Sequence, residues 1–260
     1  MNIRKLHVDR YVTPLREGGS LPAIVEGDDQ GLYVLKFRGA GQGKKVLIAE
    51  LVAGELARAA GLPVPEIVFA ELDPDLARTE PDPEVQSLIR ASGGLNIAVD
   101  YLPGSVTFDP VAQTVDSELA SKIVWLDAFI TNVDRSARNT NMLLWHKKLW
   151  LIDHGASVVF HYDWANAGQK VNSPFTLIKD HVLLKFAGDI AQADSVMRSK
   201  ITAPLIQEII ALIPDDWLEG EAAFKTPEEH RQAYASYFIG RLGAAQNFVE
   251  EALRARAALV

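Results

Sequence analysis

Near Leu102-Pro103-Gly104 the hydrophobic pattern changes period, and this change restricts the fold more than any other feature of the chain. Before it, Leu32–Phe37, Glu66–Leu72 and Leu95–Tyr101 are short aliphatic and aromatic runs, several of them bounded by glycine, proline or aspartate, which predicts strands. Between the first two, Leu47, Leu51 and Leu56 fall at near-helical intervals over Lys45–Ala60. Gly61 can cap that helix, and Pro63 and Pro65 oppose its continuation. The acidic stretch Asp73–Glu84 carries three prolines and is expected to be a solvated loop. Beyond residue 104, Leu119, Ile123, Leu126 and Ile130 form a helical stripe. Met142–Trp145 and Leu149–Ile152 suggest a hairpin turned by His146-Lys147-Lys148. Leu205 to Ile213 and Glu228–Ala257 again read as helix. No internal repeat interrupts this order. The expectation is an α+β protein with unequal lobes, a small strand-rich one over residues 1–102 and a larger helical one over 103–260.

Composition narrows the chemistry. A chain of 260 residues with 48% hydrophobic content can bury a sizeable core. It has no cysteine, which removes disulfides, thiol nucleophiles and cysteine zinc sites, and a cytoplasmic setting is the default expectation. The 34 acidic against 26 basic side chains leave a charge of -8, and no helix-turn-helix pattern is evident, so direct nucleic-acid binding is not expected. Met1–Arg10 is broken by charges, and no later stretch offers the roughly 20 apolar residues of a spanning helix, so membrane insertion is not expected either.

The chemical information is concentrated in Asn132-Val133-Asp134-Arg135-Ser136-Ala137-Arg138-Asn139 and, across the expected hairpin, Ile152-Asp153-His154-Gly155. Folding that hairpin can bring Asp134, Asn139 and Asp153 together. Such a trio suits ATP chemistry: Asp153 can hold Mg²⁺ against phosphate oxygens, Asn139 can add an oxygen ligand, and Asp134 can orient or deprotonate a hydroxyl. Lys36 interrupts an apolar strand and would need an anion if it faces a cleft; nucleotide phosphates can provide one, with Glu50 or Glu55 on the next helix aiming it. Taken singly, Asp134, Asn139 and Asp153 could be caps or turn formers, and Lys36 could lie on a solvent face. Their joint order favours an active site. Gly39–Lys45 is a rival phosphate loop, but Arg38 stands where such a loop needs glycine and Lys45 where it needs serine or threonine, so it reads as a turn. His161 and His181 have no metal-binding spacing, and the five tryptophans are too scattered to form a base-stacking platform.

From about Gly18 into the helical half, and most specifically over Asp134–Gly155, the chain resembles the HipA-like kinase family, itself distantly similar to phosphatidylinositol kinases and protein kinases. The resemblance implies a bilobal protein-kinase-like fold and an ATP- and Mg²⁺-dependent phosphotransferase acting on a hydroxyl group, with protein serine or threonine, lipid and small-molecule hydroxyls all compatible. It makes Asp134 the catalytic aspartate, Asn139 and Asp153 the metal ligands, Lys36 the phosphate-binding lysine and Glu50 its helix partner. It puts Asp100 and Leu102 in the adenine-binding connection between lobes, and Ser20 in the segment that covers the phosphates. Two departures stand out. Gly18-Gly19-Ser20-Leu21-Pro22-Ala23 replaces the Gly-x-Gly-x-x-Gly loop of protein kinases, and His154 follows Asp153 where those enzymes carry phenylalanine. The competing expectation is a nucleotide-binding regulatory protein with little catalytic power.

Overall fold

The computed structural model describes residues 1–15, 21–41 and 43–259. The chain divides into two compact units, residues 1–51 with 65–104 and residues 52–64 with 105–260. The sequence reading keeps 52–64 in the first lobe; in the structure these residues group with the second.

In the first unit, β1 (Lys5–Pro14), β2 (Ala23–Gly27), β3 (Leu32–Lys36), β4 (Ile67–Leu72) and β5 (Gly94–Asp100) close into a barrel in the order β1-β2-β3-β5-β4. β1 pairs antiparallel with β2 and parallel with β4. Alternate side chains fill the interior, as the period of two in a strand requires. Leu6 and Val8 enter from β1, Tyr33 and Leu35 from β3, and Val68 and Ala70 from β4. The helix α1 (Lys44–Ala59) follows β3, and Gly39 lets the intervening turn pack closely, since a Cβ there would lie 2.8 Å from the carbonyl oxygen of Ala91.

The expected loop at Asp73–Glu84 is a correction. A 3₁₀ turn occupies Pro74–Thr79 and α2 covers Pro83–Ala91. The reason is that Asp73 and Asp82 act as N-caps, accepting hydrogen bonds from Asp75 N and Glu84 N at 2.8 and 2.9 Å. The proline after each occupies the first helical position, where no amide hydrogen is missed. The acids and prolines that suggest a solvated loop are helix-start signals.

In the second unit, β6 (Val106–Thr107), β7 (Met142–Trp145) and β8 (Lys148–Leu151) form an antiparallel sheet. The β7–β8 hairpin turns at His146 and Lys147, whose φ values of 48° and 64° match the mirror-image turn that a twisted hairpin prefers. The helix α3 (Ser117–Ile130) is capped by Asp116 and buried over most of its length. Around it come the short α4 (Ala167–Lys170), then α5 (Ile190–Lys200), α6 (Ala203–Ile210) and α7 (Asp215–Leu218). The helices α8 (Pro227–Gly243) and α9 (Ala245–Ala257) complete the chain order. The helical stretch Glu228–Ala257 is divided between two helices, parted at Ala244 (ψ 18°), beside the weak helix former Gly243.

Aromatic packing and one buried cation fix α3. Trp125 and Phe129 stack at 5.3 Å, and Phe238 and Phe248 close on Phe129 from α8 and α9. Arg241 of α8 is fully buried and donates to the carbonyls of Ala128 and Phe129 at 2.7 and 2.8 Å, where the helix dipole is negative. It also donates to Val171 and Ser173. Trp217 is buried like Trp125, whereas Trp145, Trp150 and Trp164 are partly exposed. No helix among the described residues is long and apolar enough to cross a membrane.

Gly61 ends α1 as the sequence suggests. Its φ is 80°, Leu62 N donates to Ala57 O at 2.9 Å and Gly61 N to Arg58 O at 3.0 Å, the paired bonds of a Schellman cap. Lys200 Nζ donates to the adjacent carbonyl of Ala60 at 2.6 Å. Gly61→Ala puts a Cβ on a left-handed residue and is expected to lower stability by about 1–2 kcal/mol. Urea unfolding measures this, and an unchanged midpoint contradicts the cap.

Candidate functional site

The first unit holds a buried ion pair. Lys36 is the last residue of β3, and its ammonium lies 3.2 Å from Glu50 Oε1 on α1. Both side chains are almost wholly buried, so each charge relies on protein groups for its solvation. Glu55, the alternative partner in sequence, instead pairs with Arg58 three residues on.

Asp100 closes β5, half-buried. Burial, helped by the neighbouring Glu66 charge, pushes its carboxyl up from the ordinary range. Its amide donates to Glu66 O at 2.9 Å and that of Tyr101 to Leu32 O at 3.0 Å, so both are committed to the barrel. Leu102 is buried two residues on. Ser20 lies outside the described residues.

In the second unit, the loop after α3 carries Asp134 and Asn139. Asn139 Nδ2 donates to Asp134 Oδ2 at 2.8 Å, and Asn141 Nδ2 reaches the same oxygen at 3.2 Å. Asp134 N donates in turn to Asn132 Oδ1 at 3.1 Å. The donation to Asp134 engages the Asn139 amide nitrogen, and the Asn139 Oδ1 is the acceptor atom of the side chain.

Asp153 follows β8 in the segment that runs beside this loop. Ile152 N donates to Asn141 O at 3.1 Å and Val133 N to Ala156 O at 3.3 Å, bracketing Asp153. The backbone there is unusual. Asp153 and Asn141 have φ of 54° and 46°, and the β-branched Thr131 and Val158 have 56° and 57°. Such conformations cost on the order of 1–3 kcal/mol each and gather at functional sites. They are held by cross-links between the two segments: Val158 N donates to Ile130 O at 2.7 Å and Val159 N to Thr131 Oγ1 at 3.4 Å. His154 is buried, and its carbonyl accepts both Ser157 N and Ser157 Oγ, at 3.0 and 2.6 Å.

Beneath the loop lies a network that motif reading does not reveal. Asp127 of α3 is wholly buried. Its Oδ2 accepts from Arg135 Nε at 2.6 Å and His181 Nε2 at 2.9 Å, and its Oδ1 from Asn132 Nδ2 at 3.0 Å. Arg135 Nη1 also donates to the carbonyl of Asn141. Burial alone would raise the Asp127 carboxyl, but the Arg135 charge and the His181 hydrogen bond outweigh it and hold it well below the usual carboxylate range. A polar residue inside the apolar stripe of α3 was the available signal. His161, by contrast, is a core imidazole whose Nδ1 lies 3.0 Å from the Tyr234 hydroxyl.

Asp153, Asn139 and Asp134 are hard oxygen donors, and no group of three His, Cys, Asp or Glu among the described residues is arranged to hold a metal ion. Carboxylate and amide oxygens are the donors that Mg²⁺ prefers, the metal completing its shell with water and phosphate.

Residues 8–249 match the sequence model of a family described as HipA-like kinase. Among solved structures, a Helicobacter pylori proinflammatory kinase, CtkA, aligns over 100% of both chains at 11% identity and a TM-score of 0.58. The Golgi casein kinase with Mn/ADP bound aligns over 96% of this chain and 73% of its own, at 11% identity and a TM-score of 0.50. These likenesses concern the fold, which is α+β with a strand-rich N-terminal and a helix-rich C-terminal lobe in the protein-kinase-like arrangement. Among curated proteins no sequence matches the chain.

The Asp127 network sets an acid dependence. Its folded carboxyl titrates below its unfolded value, so its contribution is fully present above the unfolded pKa of about 3.9 and is lost as pH falls through that value toward the folded one. Asp127→Asn strands the buried Arg135 charge and is expected to lower stability near neutral pH by about 3 kcal/mol. The gap from the unsubstituted protein is expected to narrow as pH falls below about 4. Urea unfolding across pH measures both, and a gap independent of pH contradicts the assignment.

Proposed function

The chain belongs to the HipA-like kinase family, and from that premise we propose that it transfers the γ-phosphoryl group of ATP to a hydroxyl-bearing acceptor, with Mg²⁺ as cofactor. The observation that carries this reading is the Asp134 carboxylate, held by Asn139 and Asn141 on a loop cross-linked to the Asp153 segment.

Asp134 acts on the acceptor. Two amides converge on its Oδ2, which supports Oδ1 as the oxygen that meets the acceptor hydroxyl. As the bond from acceptor oxygen to phosphorus forms and the bond from the β,γ-bridging oxygen breaks, the hydroxyl proton passes to Asp134 and ADP departs. Asp153 and the Oδ1 of Asn139 would hold the cation. The cation would supply charge neutralisation at the phosphate oxygens of ATP. Lys36, aimed by Glu50, meets the α- and β-phosphates. At the adenine edge, Leu102 supplies the backbone donor, because the amides of Asp100 and Tyr101 are already engaged; Asp100 is left to offer its carbonyl. The acceptor class extends to protein serine and threonine hydroxyls.

These roles separate by calorimetry. Asp153→Asn is expected to weaken ATP binding in the presence of Mg²⁺ by on the order of tenfold, about 1.4 kcal/mol, whereas Asp134→Asn changes it by less than about threefold. Equal losses in the two variants contradict the division between metal ligand and acceptor base.

A further inference from the structure

The segment that leaves the site at Asp153 returns to it at His181. Its start is tied to the loop by Val133 N to Ala156 O and Val158 N to Ile130 O. Its end is tied by a bridge between Ser136 and His181 and by Val182 N to Arg135 O at 3.1 Å. The His181 side chain adds a contact of a different kind. Nδ1 accepts the amide hydrogen of Leu183 at 3.0 Å, which places the ring proton on Nε2, and Nε2 donates to Asp127 Oδ2 at 2.9 Å.

That oxygen already receives Arg135. Arg135 and Asn132, both bonded to Asp127, flank Asp134 in sequence, and Arg135 also bonds the carbonyl of Asn141, whose amide reaches Asp134. The His181 imidazole from the end of the segment therefore completes the shell of the carboxylate that fixes both sides of Asp134. Packing alone would be met by an apolar side chain at 181, with no donor aimed at a carboxylate that is already paired.

We propose that His181 is a positioning residue for the Asp134 loop, which couples docking of residues 154–182 to the placement of Asp134. The inference rests on Asp134 being the acceptor base. Once residues 154–182 are docked, the loop is set; when His181 cannot donate, Arg135 alone holds Oδ2 and Asp134 loses its fixed bearing toward an acceptor. Nucleotide contacts assigned to Lys36, Asn139 and Asp153 do not include His181.

The test uses the full chain with His181→Leu, which keeps bulk and removes the donor, and His181→Gln, which keeps an amide donor near the Nε2 position. With labelled ATP and the acceptor under assay, His181→Leu is expected to lower kcat by about tenfold or more while KM for ATP stays within about twofold, and His181→Gln to recover most of the loss. Hydrogen exchange supplies a readout independent of turnover. The amides of Asn132, Val133, Asp134 and Ser136 are all hydrogen-bonded, and their protection is expected to fall about tenfold in His181→Leu and to be retained in His181→Gln. An unchanged kcat in His181→Leu, equal loss in both variants, or loop protection indifferent to the donor overturns the proposal. Absence of transfer by the unsubstituted protein overturns the kinase reading instead, and exchange then decides the coupling by itself.

Discussion

A carboxylate with no access to water must find all of its solvation in the protein, and Asp127 finds it in Arg135, His181 and Asn132. The three donors come from the loop after α3 and from the end of the segment after β8. Satisfying one buried group thus joins two distant stretches of chain to a helix that aromatic packing and Arg241 already hold. A buried ion pair of this sort adds little net stability over a well-packed apolar substitute. What it adds is definition: the donors tie down the loop that carries Asp134 and its two asparagine partners.

The first unit solves a related problem with different means. Lys36 ends a strand whose neighbours fill the barrel, and Glu50 meets its charge from α1. In both units a buried charge is matched by one from another element. In the second unit, left-handed backbone at Thr131, Asn141, Asp153 and Val158 adds strain that the cross-links between segments sustain. Strain and buried charge are both unfavourable taken alone, and here they concentrate around one loop.

Much of the architecture can be read from the chain, because strands β3, β4 and β5, helix α1 and the β7–β8 hairpin announce themselves by period and by their flanking glycines and prolines. The strands β1 and β2 do not, since β1 is charged on its outer face and carries irregular pairing, which weakens its alternation. The helix α2 was hidden because aspartate followed by proline serves loops and helix starts alike. At the candidate site, Asp134, Asn139 and Asp153 stand out in the sequence because their spacing is local to one loop and one hairpin, and the structure joins Asn139 to Asp134. Asp127 and His181 do not stand out, because their partnership spans 54 residues and depends on tertiary folding. Asn141 escaped notice for a simpler reason: its amide duplicates the contact made by Asn139, and nothing in the sequence distinguishes the two.

Transfer of label from γ-labelled ATP bears most directly on the role given to Asp134. The purified protein, incubated with Mg²⁺ and separate protein, lipid and small-molecule pools, is expected to yield a labelled hydroxyl product in one of them, while Asp134→Ala still binds nucleotide but forms none. Undiminished product from Asp134→Ala, with contaminating kinase excluded, contradicts the assignment of Asp134 as the group that receives the acceptor proton.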